Sequence, residues 1–194
     1  MQPASSKMPI YLRDSDYLIK ILKLVGEVGA DNYLFTTDTE AIYLNINNEE
    51  AIAALTITFH TNLVECNQNL LINTLIKALQ LLIWYNVFRL RNTYYCQKNC
   101  TAIGLLPALD IVTQAYGFYE ATIMNLIFIR YLRVDSKFID DKLCLWNRPI
   151  PEFKAYITHV NKACNLDWEF SELHKWAVHI DSFIWIDTSS KQLK

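Results

Sequence analysis

The stretch FIDDKLCLW, residues 138–146, places two adjacent aspartates, Asp140 and Asp141, between apolar, strand-like runs. Side chains alternate along a strand, so neighbouring carboxylates reach one side of a sheet only where a turn intervenes. One interpretation is an ordinary polar hairpin turn, because Asp is common in turns. The other is a tight turn that gathers both carboxylates at one end of a sheet.

Another carboxylate ends an earlier strand-like run. In FTTDTEAIYLNI, residues 35–46, Asp38 follows apolar residues and precedes a helix. An Asp that merely starts a loop would give the same pattern. Taken together, Asp38, Asp140 and Asp141 at neighbouring strand ends could hold two Mg²⁺ ions about 3.5–4 Å apart. Carboxylate oxygens suit Mg²⁺, and such an ion pair activates a 3′-hydroxyl and stabilises a leaving pyrophosphate.

Helical and strand-like periodicities alternate along the whole chain. Helices are predicted over residues 16–28, 49–61, 70–85, 105–128 and 151–164. Strands are predicted over residues 33–38, in a hairpin at 87–97, on both sides of Asp140–Asp141, and over 167–170 and 178–187. This order predicts an α+β fold in which helices cover an antiparallel sheet.

Composition fits one folded domain. The chain has 194 residues, of which 52% are hydrophobic and 20% charged. Its net charge of −2 is unusual for a stand-alone nucleic-acid binder, although it suits a piece whose basic parts lie elsewhere. The start, MQPASSKMPI, lacks the pattern of a signal peptide, and polar residues interrupt the most apolar stretch. We therefore expect no membrane partner and an intracellular location, nuclear or cytoplasmic rather than secreted.

Cationic and aromatic residues are interleaved in the predicted hairpin. Arg89, Arg91 and Lys98 lie close in sequence to Tyr94 and Tyr95. Arginines beside aromatic rings can bind phosphates and stack on bases. The alternative is a solvated hairpin whose tyrosines only pack across the strands.

The order of these motifs resembles a reverse transcriptase of the Penelope-like retroelement type. That family has an Asp-ended strand with a SLYTNI-like stretch, then a hairpin, a QxxGTAMG-like motif and YIDD or FIDD. This chain has FTTDTEAIYLNI, VFRLRNTYYCQKNCTAIG and FIDDKLCLW in the same order, and the resemblance spans about residues 10–187. It implies a polymerase palm-like domain at 11–194 after a loose N-terminus at 1–10, with fingers and thumb incomplete.

The resemblance also implies the chemistry. Asp38, Asp140 and Asp141 match the family's catalytic metal ligands, with two Mg²⁺ ions expected. The implied activity is RNA-directed DNA polymerisation, in which deoxynucleotides are added to a primer 3′ end. The implied partners are an RNA or DNA template-primer and deoxynucleoside triphosphates.

Three further positions match substrate-binding residues of the family. Tyr43 matches the aromatic residue under the incoming sugar, which would exclude a 2′-hydroxyl; a core tyrosine is the alternative. Gln97 matches the leading glutamine of the motif before the long helix, and an exposed turn glutamine is the simpler account. Gly104 matches that motif's second glycine, where the backbone approaches the template or the nucleotide closely.

The chain departs from the family pattern at four positions. Cys100 stands where the family usually has Gly, Ile103 where it has Met, Leu109 where it has Pro, and Thr113 where it has Asn. These departures, with the incomplete fingers and thumb, suggest a fragment or a degenerate copy. The alternative function is therefore a catalytically inactive, retroelement-derived remnant that acts as a binding or interaction protein. An unrelated α+β protein with ordinary turn aspartates is a third interpretation.

Overall fold

Helices and antiparallel strands make up the protein in a computed structural model, which describes residues 12–62, 69–98, 101–102, 107–119, 128–163 and 167–194. The α-helices are α1 (Ser15–Leu24), α2 (Ile42–Asn45), α3 (Asn48–Asn62), α4 (Asn69–Trp84), α5 (Ala108–Tyr119) and α6 (Ile150–Ala163). The strands are β1 (Tyr33–Thr39), β2 (Val87–Leu90), β3 (Thr93–Cys96), β4 (Leu132–Phe138), β5 (Asp141–Trp146), β6 (Trp168–Phe170), β7 (Trp176–His179), β8 (Ser182–Asp187) and β9 (Gln192–Leu193).

The chain divides into two compact units. The first unit comprises the described residues of 1–40 and 120–194, and the second comprises those of 41–119. Each unit is built around its own elements, so β1 and β4 to β9 belong to the first and the β2–β3 hairpin to the second. Within the described ranges, no helix combines the length and apolar character needed to cross a bilayer.

A four-stranded antiparallel sheet, ordered β4-β5-β1-β6, forms the centre of the first unit. The pairing of β1 with β5 runs from Tyr33 opposite Trp146 to Thr37 opposite Lys142. Both strands are mostly buried. The sheet is therefore covered on both faces, and the alternation of side chains along β1 and β5 decides what each face contacts.

The two faces have different partners. On one face, Leu34 of β1 and Leu143 of β5 join a core with Leu18 of α1 and Ile184 of β8. The core on that face is aliphatic. On the other face, aromatic rings meet: the centroid of Phe35 lies 4.8 Å from that of Phe153 in α6.

Local sequence signals explain where the helices begin. The side chain of Asp14 accepts a hydrogen bond of 2.8 Å from the backbone N–H of Tyr17, which caps α1. The side chain of Asn47 accepts one of 2.8 Å from the N–H of Glu49 at the start of α3. In the second unit α3 then packs against α4 and α5.

The C-terminal strands depart from the simplest prediction. The predicted strand over residues 178–187 is instead the end of β7, a turn and β8, followed by β9. The turn residues Ile180 and Asp181 have φ of +47° and +56°. Isoleucine rarely adopts a left-handed backbone conformation, so this turn was not expected from the residue types.

Other predicted boundaries fall partly outside the described residues. The helix predicted over 105–128 is described as α5, while residues 120–127 lie outside the described ranges. The loose terminus predicted at 1–10 also lies outside them. The predicted domain boundary at residues 11–194 stays a prediction.

One ion pair is buried in the central sheet. The Nζ of Lys142 lies 2.6 Å from Oδ1 of Asp135, and the lysine side chain is only 1% exposed. Asp187 and Lys194 form a pair with the same 2.6 Å separation, but there the lysine is 47% exposed. A charge without a counterion is costly in a buried position because it has lost its hydration, whereas an exposed lysine remains hydrated.

We expect Asp135→Asn to lower the free energy of unfolding by about 3 kcal/mol, because it removes the carboxylate that lies 2.6 Å from the buried ammonium of Lys142. The matched control Lys194→Gln should cost no more than about 1 kcal/mol. Urea unfolding followed by circular dichroism measures both values. An equal loss of unfolding free energy in Asp135→Asn and Lys194→Gln would show that burial does not set the cost of breaking the pair.

His179 makes the folding stability of the first unit dependent on pH. Burial lowers the pKa of His179 from 6.5 to about 4, and its Nε2 is buried without a hydrogen-bond partner. The unfolded chain therefore binds a proton more readily than the folded one between these two pH values. Stability is thus full above about pH 6.5 and falls as the pH decreases toward 4.

We expect His179→Leu to reduce this acid sensitivity by about 2–3 kcal/mol over that interval. His174→Leu serves as the control, because His174 is exposed. Urea midpoints measured from pH 7 to pH 4 give the comparison. An unchanged pH profile in His179→Leu would show that His179 does not carry the effect.

Candidate active site

The β4–β5 hairpin positions Asp140 and Asp141. Phe138, the last residue of β4, pairs with Asp141, the first residue of β5, so only Ile139 and Asp140 form the turn. Ile139 has φ of +59°, which lets two residues reverse the chain. Asp140 is half-buried and Asp141 is exposed, so both carboxylates lie at one end of the sheet.

The register of β1 and β5 places Asp38 beside this turn. The last recorded partners are Thr37 and Lys142, so the next position in the same register sets Asp38 opposite Asp141. Directly opposite residues of an antiparallel pair share a face of the sheet. Asp38 is exposed at the same end of the sheet as the turn.

The three carboxylates are close enough to influence one another. Although Asp141 is exposed, partial desolvation of its carboxyl raises the pKa of this group above its ordinary value, and the negative charges of Asp38 and Asp140 raise it further. Like charges have this effect only at short range. The structure therefore brings together the three aspartates that the sequence singled out.

A fourth carboxylate, which the sequence analysis did not single out, extends this row. Glu169 of β6 pairs with Asp38 of β1, and both are exposed. Across three neighbouring strands, Asp141, Asp38 and Glu169 therefore follow one another on one face. The sequence signal was the predicted strand at 167–170, but nothing in the sequence indicated that this strand pairs with β1.

The donor chemistry of the site fits Mg²⁺, although its side chains are not arranged as a closed cage. Among the described residues, no three His, Cys, Asp or Glu side chains converge closely enough to form a ready metal site. Oδ1 of Asp38 accepts a 2.7 Å hydrogen bond from the N–H of Thr39. Mg²⁺ needs only one or two carboxylates when waters and phosphates complete its shell, so oxygens of Asp140 and Asp141 suit it.

The predicted substrate-binding residues belong to the second unit. Tyr43 lies half-buried in α2, and its carbonyl accepts a 3.1 Å hydrogen bond from the N–H of Thr101. Gln97 closes the open end of the β2–β3 hairpin, because its N–H and its Oε1 both bond to Asn86 at 2.9 Å. Gly104 lies outside the described residues.

Two of the four departures from the family pattern, Cys100 and Ile103, also lie outside the described residues. Of the other two, Leu109 is half-buried in the first turn of α5, and Thr113 is buried in the same helix.

Comparison with known proteins gives matches among solved structures alone, since no protein-family model and no curated protein matches the chain. Apo telomerase from Candida tropicalis matches with a TM-score of 0.68 and 9% identity, covering 98% of this chain and 37% of that chain. Telomerase from Candida albicans, in complex with the TWJ fragment of telomeric RNA, matches with a TM-score of 0.67 and 10% identity. That match covers 100% of this chain and 35% of the other.

These matches show a fold. The chain spans 37% and 35% of the length of the two telomerase chains. Telomerase is related to reverse transcriptases, and at identities of 9% and 10% the likeness concerns backbone architecture. The predicted fold class is confirmed, because the chain has a mixed α+β, polymerase-like fold with antiparallel sheets and helices.

Proposed function

We propose that the chain is a reverse transcriptase-like nucleotidyltransferase domain that adds deoxynucleotides to a primer 3′ end by a two-metal mechanism. One observation carries this proposal: the pairing of β1 with β5 ends at Thr37 and Lys142, one position before Asp38 and Asp141, and Asp140 lies in the adjoining turn. The same three residues match the metal ligands of the reverse transcriptase pattern. The polymerase-like fold supports the same conclusion.

Asp38, Asp140 and Asp141 would hold Mg²⁺ through their carboxylate oxygens. When bound, the metal ions supply charge that activates the 3′-hydroxyl and stabilises the leaving pyrophosphate. Desolvation of the carboxyl raises the pKa of Asp141 most, and the negative charges of Asp38 and Asp140 raise it further. Bound cations would relieve this repulsion between the carboxylates. The exposure of Asp38 and Asp141 leaves room for a substrate triphosphate.

The remaining assignments are also part of the proposal. Tyr43 would select deoxynucleotides by excluding a 2′-hydroxyl, and Gln97 and Gly104 would contact the template or the nucleotide. The partners would be an RNA or DNA template-primer and deoxynucleoside triphosphates. The RNA-bound state of the Candida albicans telomerase supports a nucleic-acid partner. The parent would be a Penelope-like retroelement, and the location nuclear or cytoplasmic.

A second candidate function is that of a catalytically inactive remnant that keeps the fold as a binding or interaction protein. The bond from Thr39 to Oδ1 of Asp38 favours it, because that carboxylate is engaged by its own backbone. The lack of converged ligand groups among the described residues points the same way. Metal binding decides between the two candidates.

We expect Asp140→Asn to reduce primer extension by about a thousandfold, because metal ions contribute several kcal/mol to the transition state. Asp181→Asn is a matched control: Ile180–Asp181 and Ile139–Asp140 are the same dipeptide in two-residue hairpin turns. Extension of a labelled primer on an RNA template with Mg²⁺ measures both.

Retained extension by Asp140→Asn would refute the catalytic assignment. A folded wild-type chain that neither extends a primer nor binds Mg²⁺ would establish the remnant function instead. Amide shifts near Asp38 and Asp140 during Mg²⁺ titration supply the binding measurement.

Neutralising Asp141 should stabilise the metal-free fold. Its pKa is raised, so its ionised form is disfavoured in the folded state and costs stability at pH values above that raised pKa. We expect Asp141→Asn to raise the melting temperature at pH 7 without metal by up to about 3 °C, the scale of exposed charge contacts. At a pH below the ordinary value of 3.8, the gain should disappear.

Mg²⁺ should give the wild type the higher melting temperature of the two proteins, since the ion stabilises the wild type more than Asp141→Asn. Differential scanning fluorimetry with EDTA and with Mg²⁺ gives both melting temperatures. A lower melting temperature for Asp141→Asn in EDTA would contradict the repulsion on which the prediction depends.

A further inference from the structure

The β2–β3 hairpin of the second unit is exposed along both strands. Val87 is 58% exposed and Tyr94 is 69% exposed. The two strands of the hairpin pair in a regular antiparallel register from Val87 opposite Cys96 to Leu90 opposite Thr93. Because side chains alternate, the hairpin presents two distinct faces.

One face combines a cation and a ring. Arg89 pairs with Tyr94, and its Cζ lies 5.8 Å from the centroid of the tyrosine ring. Its Nε donates a 2.7 Å hydrogen bond to the carbonyl of Arg91, and its Nη2 donates a 3.3 Å bond to Oδ1 of Asn92. These bonds use two of the five guanidinium donors and hold the group over the ring.

The opposite face is aromatic without a paired cation. Phe88 pairs with Tyr95, and their rings stack at a centroid distance of 5.5 Å and an interplanar angle of 19°. Each ring already has a partner in that stack. The face with Tyr94 therefore offers the more exposed ring together with a positive charge.

The stretch of sequence that contains the hairpin carries charges of one sign. Residues 66–109 contain Lys77, Arg89, Arg91 and Lys98 and no Asp or Glu, although the whole chain has a net charge of −2. A run of sequence with this composition attracts an anionic partner. Rings beside arginines and a cationic surface are the combination that binds a single nucleic-acid strand.

We propose that the Arg89–Tyr94 face of this hairpin, with Arg91 at its turn, binds single-stranded nucleic acid. A base stacks on Tyr94, while the guanidinium groups of Arg89 and Arg91 bind flanking phosphates. The inference deepens the proposed function, on which it rests for the role of the strand as template or primer. Binding itself requires neither metal nor nucleotide.

Fluorescence anisotropy of the full chain tests the proposal, with EDTA present and nucleotides absent. The probe is a labelled oligo(U) of about 12 nucleotides, with oligo(dT) of equal length as a second arm. Tyr94→Leu should weaken binding by about tenfold, whereas Tyr95→Leu, the neighbour on the opposite face, should leave it within about twofold. Binding weakens as salt increases, so the slope of log K for association against log salt concentration is negative. Arg89→Gln should reduce the magnitude of this slope by about 0.7.

Arg13→Gln is the control for charge, because the Cζ of Arg13 lies 5.2 Å from the ring centroid of Tyr17 in a similar contact outside the hairpin. It should change neither affinity nor salt slope. Arg91→Gly separates binding from folding. Arg91 has φ of +56°, which glycine adopts without strain, so this variant should melt higher and yet bind more weakly.

Three results would overturn the proposal: no binding of either single strand, equal binding of a blunt duplex, or equal losses in Tyr94→Leu and Tyr95→Leu. A dimer in solution that Val87→Ser dissociates would also overturn it, since the hairpin would then be a protein interface. The Asp140→Asn variant separates strand binding by the hairpin from catalysis of primer extension. It should bind the strands like the wild type, so loss of extension with binding intact is a failure of catalysis alone.

Discussion

The register between β1 and β5 is the constraint on which the rest of the first unit depends. Leu34 and Phe35 are adjacent, yet one packs in the aliphatic core and the other against the ring of Phe153. A slip of one residue would exchange these environments and turn Asp38 toward the aromatic face. The apolar alternation near the start of β1 therefore fixes the position of the carboxylate near its end, several residues away.

Strand β5 carries opposite charges on its two faces. Asp141 lies on the face where Asp38 and Glu169 follow across the sheet, and the next residue, Lys142, points to the other face, where it pairs with Asp135. The charges of the buried pair compensate each other, whereas the pKa of Asp141 is raised first by desolvation of its carboxyl and then by the charges of Asp38 and Asp140. The fold therefore concentrates its uncompensated charge where solvent or a cation can reach it, which is typical of functional sites.

Several local features of the fold could be predicted from the sequence, although the turn at Ile180 and Asp181 could not, and neither could the non-local pairings. The cap at Asp14, the β2–β3 hairpin and the turn beside Asp140 each depend on a few consecutive residues. The pairing of Asp38 with Glu169 depends on strand order, which joins residues more than a hundred positions apart. The three aspartates were predicted as a group because motif order supplied long-range information, while Glu169 belongs to no motif.

The two Ile–Asp turns show what the aspartate motif does and does not determine. Ile139–Asp140 and Ile180–Asp181 both join antiparallel strands, and Ile139 and Ile180 both have positive φ. The first turn adjoins the pairing of β5 with β1, which ends one position before Asp38, whereas the second turn joins β7 and β8, which pair with each other. The turn thus supplies a shape that recurs in the same chain. The neighbouring strand supplies the further carboxylate, so the chemistry of the site depends on the sheet order and not on the dipeptide.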